Sequence, residues 1–137
     1  MNGIESLMSL IQSLERPTKQ GERVKHIEDV PITPKQLEAL SEIKRRLVEK
    51  FDIEAFVLYG SVARGEADEE SDVDLLVVTS KPLTRFERHG ITDVVFEVNL
   101  QYDTTFSTLV VDLKSWETGI ISVLPVRDEI IRDGIQV

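Results

Sequence analysis

Apolar residues recur along this chain with two periods, and the alternation between them lays out its elements. Ile4, Leu7, Met8, Ile11 and Leu14 form a first helical stripe that should end near Arg16-Pro17. Leu37, Leu40, Ile43 and Leu47 mark a second. It is introduced by Thr33-Pro34-Lys35-Gln36, where threonine can cap, proline suits the first helical position and Gln36 completes a capping box. This helix should run to about Lys50. Ile53 to Tyr59 is rich in β-branched and aromatic residues and reads as a buried strand, ended by Gly60. Asp72 to Thr79 reads as a second strand, broken by Lys81-Pro82. Helical spacing returns from about Arg88 to Tyr102 through Ile91, Val95, Val98 and Tyr102. Thr104 to Leu113 reads as a third strand. Trp116 then suits a core or boundary anchor. Pro125 to Arg132 reads as a short helix stopped by Gly134, and Ile135 to Val137 as a short edge strand. This order predicts an α/β or α+β fold: a small mixed β-sheet covered by helices.

Two units follow from the pattern. Residues 1–33 comprise the N-terminal helix and a polar connector from about Pro17 to Pro31. Residues 34–137 form the main domain. The plainer expectation for the first helix is packing on its own domain; the other is docking on a partner or a second copy of the chain.

Composition narrows the function classes. At 137 residues the chain is one domain's worth, long enough to bury a core without staples. It has no cysteine and only His26 and His89, which excludes disulfides and argues against zinc, but leaves oxygen-ligated cations open. Both histidines read as surface residues. The formal charge of -9 argues against direct nucleic-acid binding, whereas a small nucleotide neutralised by a cation suits an acidic protein. Met1 to Leu14 has no basic start and is interrupted by Glu5, Ser6, Ser9 and Gln12, so no signal peptide or membrane span is expected, and a cytoplasmic protein is.

The chemistry concentrates between Leu58 and Val78. Strand side chains alternate, so Asp72 and Asp74 should share one side, roughly 6.5–7 Å apart at Cα, while Val73, Leu75 and Val77 enter the core. Two carboxylates on one side repel, and a divalent cation between them removes that cost. Magnesium suits best, because it takes few protein oxygens and completes its shell with phosphate and water. Gly60-Ser61 ends the preceding strand. Glycine permits close approach of a phosphate, and the serine hydroxyl with nearby N–H groups can donate to it. Arg64 can add a charge-assisted contact, and Gly65 lets the loop turn. Glu66, Asp68, Glu69 and Glu70 read as a solvated loop. Each piece alone is common; the ordered combination is specific.

Gly60-Ser61, ten residues, then Asp72-Val73-Asp74 resembles the signature of the minimal nucleotidyltransferases of the DNA polymerase beta superfamily. Arg64-Gly65 and Ser71 match the family's Gly-Ser-x-x-Arg-Gly and Ser-Asp-x-Asp elements. The wider likeness runs from Pro34 to the end, including Trp116 and Glu129 to Ile135. The resemblance implies a nucleotidyltransferase fold and a magnesium-dependent enzyme that transfers a nucleoside monophosphate, AMP from ATP, to a hydroxyl of a protein or small molecule. It implies Asp72 and Asp74 as catalytic metal ligands, and Gly60, Ser61, Arg64 and Ser71 as nucleotide-binding residues. Many such proteins resemble antitoxins of HEPN-domain toxins, so a toxin partner is implied; the alternative is a degenerate module that neutralises such a toxin by contact. The family's third carboxylate, expected on the strand Thr104–Leu113, is missing: Ser107 falls near its place, with Glu97, Asp103 and Asp112 as candidate replacements.

Overall fold

The computed structural model describes residues 26–66 and 71–137. The stripe at Ile4 to Leu14, most of the connector, and Asp68, Glu69 and Glu70 lie outside the described residues. A single 3-10 turn, Ile27–Asp29, leads to helix α1 (Pro34–Lys50). The expected box closes α1: the Gln36 N–H donates to Thr33 Oγ1 at 3.1 Å, and the Thr33 N–H to Gln36 Oε1 at 2.9 Å. Strand β1 (Ile53–Tyr59), one helical turn α2 (Gly60–Ala63) and strand β2 (Val73–Thr79) follow. Helix α3 spans Arg85–Tyr102 and β3 spans Phe106–Asp112. The chain ends with α4 (Leu113–Thr118), a 3-10 turn (Ile120–Val123), α5 (Pro125–Asp133) and β4 (Ile135–Gln136).

The strands form one mixed sheet in the order β3-β2-β1-β4. β1 runs antiparallel to β2 and β4, and β2 runs parallel to β3, the two joined through α3. Both faces are covered. Leu58, Val73, Leu75 and Val77 pack with Leu40, Ile43 and Leu47 of α1 and Ile91, Val95 and Val98 of α3. Val57, Leu76, Val78 and Val111 pack on the other face with Leu113, Trp116, Ile121 and Ile130. Trp116 is fully buried with the Arg127 guanidinium 5.0 Å from its ring centre, so it anchors the second layer as expected. Ile27, Val30 and Ile32 also pack against the first core, ahead of α1.

Some boundaries move. α3 starts one turn earlier than the apolar spacing suggested, because Thr84 and Glu87 form a second capping box. Leu113 leaves the third strand and begins α4, since the Asp112 carboxylate accepts from the Ser115 N–H and caps the helix. Leu37 stands outside the buried face of α1, where Ala39 is enclosed instead.

The outer edge of β3 is partly closed by α3. The Asn99 carboxamide accepts from the Phe106 N–H at 2.9 Å and donates to its carbonyl at 3.0 Å, as a neighbouring strand would. Arg88 donates to the Val110 carbonyl at 3.0 Å. Satisfied edges resist pairing with other chains. Among the described residues no helix is long and apolar enough to cross a membrane.

Candidate active site

Antiparallel pairing sets Tyr59 opposite Asp74, which brings the end of β1 to the start of β2. Gly60 then turns with φ +77°, in the left-handed region that penalises a side chain. An ideal Cβ on Gly60 would sit 3.1 Å from Asp74 Cγ and overlap one of its carboxylate oxygens. The glycine is therefore required twice, by its backbone angle and by the carboxylate lying against it. The predicted phosphate seat and the predicted acid pair are in direct contact.

Asp72 is exposed just before β2, and Asp74 is half-buried within it. Asp74 is pushed above the usual carboxylate range, first by burial, then by the charges of Asp72 and Glu129; Arg64 pulls the other way. Tyr59, half-buried beside it, is pushed up to about 12 by burial and by the charges of Asp74 and Glu129. This is a site with unbalanced negative charge. The strand begins at Val73, so it holds Asp74 alone. Asp72, one residue ahead of it, is near enough for its charge to raise Asp74. Two neighbouring carboxylates suit one hard divalent cation whose remaining positions are filled by water and phosphate oxygens. Among the described residues no group of three or more His, Asp or Glu is assembled to cage an ion.

Arg64 follows α2 directly, and its N–H donates to the Gly60 carbonyl at 3.1 Å. Its guanidinium is bound by Glu66 at 3.1 Å and by Glu129 of α5 at 2.8 Å, with Asp133 at 3.9 Å. Gly65 takes φ +76° and the Glu66 N–H reaches the Ser61 carbonyl at 3.0 Å, so the loop folds back over the turn. Ser61 is half-buried in α2. Ser71 is half-buried before β2, and its carbonyl accepts from Thr105 Oγ1 at 3.4 Å. Gly60, Ser61, Arg64 and the aspartates thus converge on one end of the sheet.

The third-acid candidates do not reach this point. Ser107 of β3 lies in register with Asp74 and is exposed. Glu97 is on the outside of α3, 3.3 Å from Arg46. Asp103 occupies a left-handed turn (φ 54°), exposed and 3.6 Å from Lys35. Asp112 pairs with Thr79 at the far end of β2, roughly 16 Å along the strand from Asp74. His26 and His89 are both exposed. The residue that sequence reading missed is Glu129, whose carboxylate reaches the site from α5. Its sequence signal was slight: an acid four residues before Asp133 on a short helix, which puts both on one face.

A Gly-Ser turn locked against an Asp-x-Asp strand, on a mixed sheet layered with helices, defines a nucleotidyl-transferring class of domain. The nucleotidyltransferase domain model matches residues 40–134, and this chain belongs to that family. Over 103 residues it is 31% identical to a Methanocaldococcus jannaschii protein named for a proposed protein adenylyltransferase activity, covering 74% of this chain and 97% of the relative. A second protein of that organism, with the same proposed activity in its name, is 39% identical over 77 residues, 53% of this chain and 52% of its own length. Among solved structures, a chain from a crystal structure of a toxin-antitoxin with AMP-PNP aligns with TM-score 0.51 and 15% identity, covering 76% of this chain and 72% of that one. That likeness shows the shared fold.

Proposed function

We propose that this protein is a magnesium-dependent nucleotidyltransferase that moves AMP from ATP to a hydroxyl of a protein. The observation that carries this reading is the close approach of Gly60 to Asp74, which sets the glycine turn directly beside a carboxylate pushed above its usual range by burial and by Asp72 and Glu129. The names of its archaeal relatives support adenylyl transfer to protein. The structural relative, from a toxin-antitoxin crystal structure with AMP-PNP, supports a nucleotide ligand and a toxin as the partner protein, of the HEPN type that the sequence resemblance implies. In this reading the protein works in the cytoplasm.

Gly60 and Ser61 seat the triphosphate, with Arg64 and Ser71 beside it, and Asp72 and Asp74 hold the cation. Bound magnesium supplies charge neutralisation of the phosphates and activation of the attacking oxygen. The acceptor oxygen forms a bond to the α-phosphorus as the bond to the bridging oxygen breaks. Pyrophosphate leaves and the hydroxyl proton is lost to solvent. The acceptor comes from the Ser107 side of β2, because α2 and α5 cover the other flank through their contacts with each other and with β1.

The test is labelling of acid-precipitable host protein with α-labelled ATP and magnesium, comparing wild type with Asp72→Asn/Asp74→Asn. The double variant should keep its circular dichroism and lose labelling. Labelling at the wild-type level in that variant overturns the site assignment.

A second reading rests on Ser107, which leaves the register position beside Asp74 without an acid. Here the domain binds Mg-ATP and neutralises a partner by contact. Wild-type protein that binds Mg-ATP but labels nothing selects it.

A further inference from the structure

Arg64 has three carboxylates within reach, and they are not equivalent. Glu66 is exposed on the loop that folds back over α2. Asp133 is already held by Arg132, whose Nε and Nη2 donate to its Oδ2 at 3.1 and 2.9 Å. Glu129 takes the shortest contact, 2.8 Å to Nη1, from a helix fixed in place by the fully buried Ile130. An ion pair between two half-buried side chains contributes little net stability. Its geometric effect is larger, because a helix-borne acid holds a partner more rigidly than a loop can.

The position of this pair is specific. Arg64 is one turn from Gly60, joined to it by the backbone hydrogen bond of 3.1 Å. α5 packs on both α2 and β1, so Glu129 approaches from the flank opposite Ser107. It therefore stands on the phosphate side of the aspartates, away from the acceptor side, and does not replace the missing third acid. A lone carboxylate there would repel a triphosphate, whereas one paired with Arg64 has its charge offset and keeps the guanidinium N–H groups in a fixed place.

We propose that Glu129 is a positioning residue: from α5 it holds the Arg64 guanidinium beside the Gly60-Ser61 turn, so that the cation is in place before the triphosphate arrives. This rests on the nucleotide-binding reading above. Without Glu129, Arg64 is left to Glu66 on the exposed loop and to Asp133, which Arg132 already holds, and the guanidinium is free to move with the loop away from the phosphate seat.

The test measures the dissociation constant for Mg·AMP-PNP by calorimetry, with a thermal melt on each variant as a check of folding. Glu129→Ala should weaken binding about tenfold, the scale of losing the partner of one charged hydrogen bond. Glu129→Gln keeps an acceptor oxygen and should lose about threefold; it carries the test should the alanine variant fail to fold. Arg64→Ala should also weaken binding, and adding Glu129→Ala to it should cost nothing further. Unchanged or tighter binding in the Glu129 variants, or losses that multiply with that of Arg64→Ala, overturns the role. Wild-type protein that does not bind Mg·AMP-PNP overturns the nucleotide reading itself, so the two failures are distinct.

Discussion

Replacing Gly60 by alanine tests the joint between seat and acid pair. Two costs add. An alanine at φ +77° sits in the left-handed region, which penalises a Cβ by about 1–2 kcal/mol. The new methyl group would also overlap the Asp74 carboxylate, 3.1 Å from its Cγ and nearer still to an oxygen. Relief requires rotating Asp74 or shifting the start of β2, at a cost of about 1–3 kcal/mol, typical of overpacking. The sum, about 2–5 kcal/mol, corresponds to a melting temperature lower by about 10 °C for a domain of this size. Differential scanning calorimetry gives the stability, and calorimetric titration with Mg·AMP-PNP gives the site. Both should fall together in Gly60→Ala. Adding Asp74→Ala should restore the steric share of stability and leave the backbone share. A Gly60→Ala protein that melts within 1 °C of wild type and binds nucleotide normally would refute the reasoning, because neither cost could then be real.

Two further outcomes follow from the same geometry. Asp74→Asn should stabilise the metal-free fold at pH 7.5 and remove nucleotidyl transfer. Because the folded protein raises the Asp74 pKa, its penalty is absent at low pH and appears as pH rises through the folded value. The gain should therefore shrink on acidification, and a gain that is equal at pH 4 and pH 7.5 would contradict the charge explanation. Asn99→Ala should cost about 1–3 kcal/mol in urea unfolding, since the carboxamide serves both backbone groups of Phe106 and accepts from Thr104 as well; a change below 0.5 kcal/mol would show that water replaces it without loss.

The parts of this molecule legible in its sequence are those fixed by near neighbours. The Thr33–Gln36 box and the apolar run of β2 act over a few residues, and both appear in the structure where they were expected; Asp72, expected to open that strand, stands one residue ahead of it. The Thr84–Glu87 box was equally local, yet the apolar residue inside it, Phe86, is largely exposed, so the apolar period starts late and hides the first turn. Asp112 was ambiguous because an acid at a strand end can face a site or cap a helix, and only the Ser115 contact distinguishes them. Glu129 was unreadable for a different reason: its partner lies 65 residues away, and nothing local encodes that meeting. The convergence of Gly60 and Asp74 was foreseeable in kind, since both flank one loop. Their contact was not, because it depends on the register that pairs Tyr59 with Asp74.

Ser107 is exposed, in register with Asp74, and carries none of the packing that holds β3 to the sheet. Its side chain can therefore change without disturbing either core. In the reading proposed above, whether the site reacts or only holds its ligand would then be separable from whether the chain folds. A single surface codon could alter turnover while the architecture stays the same.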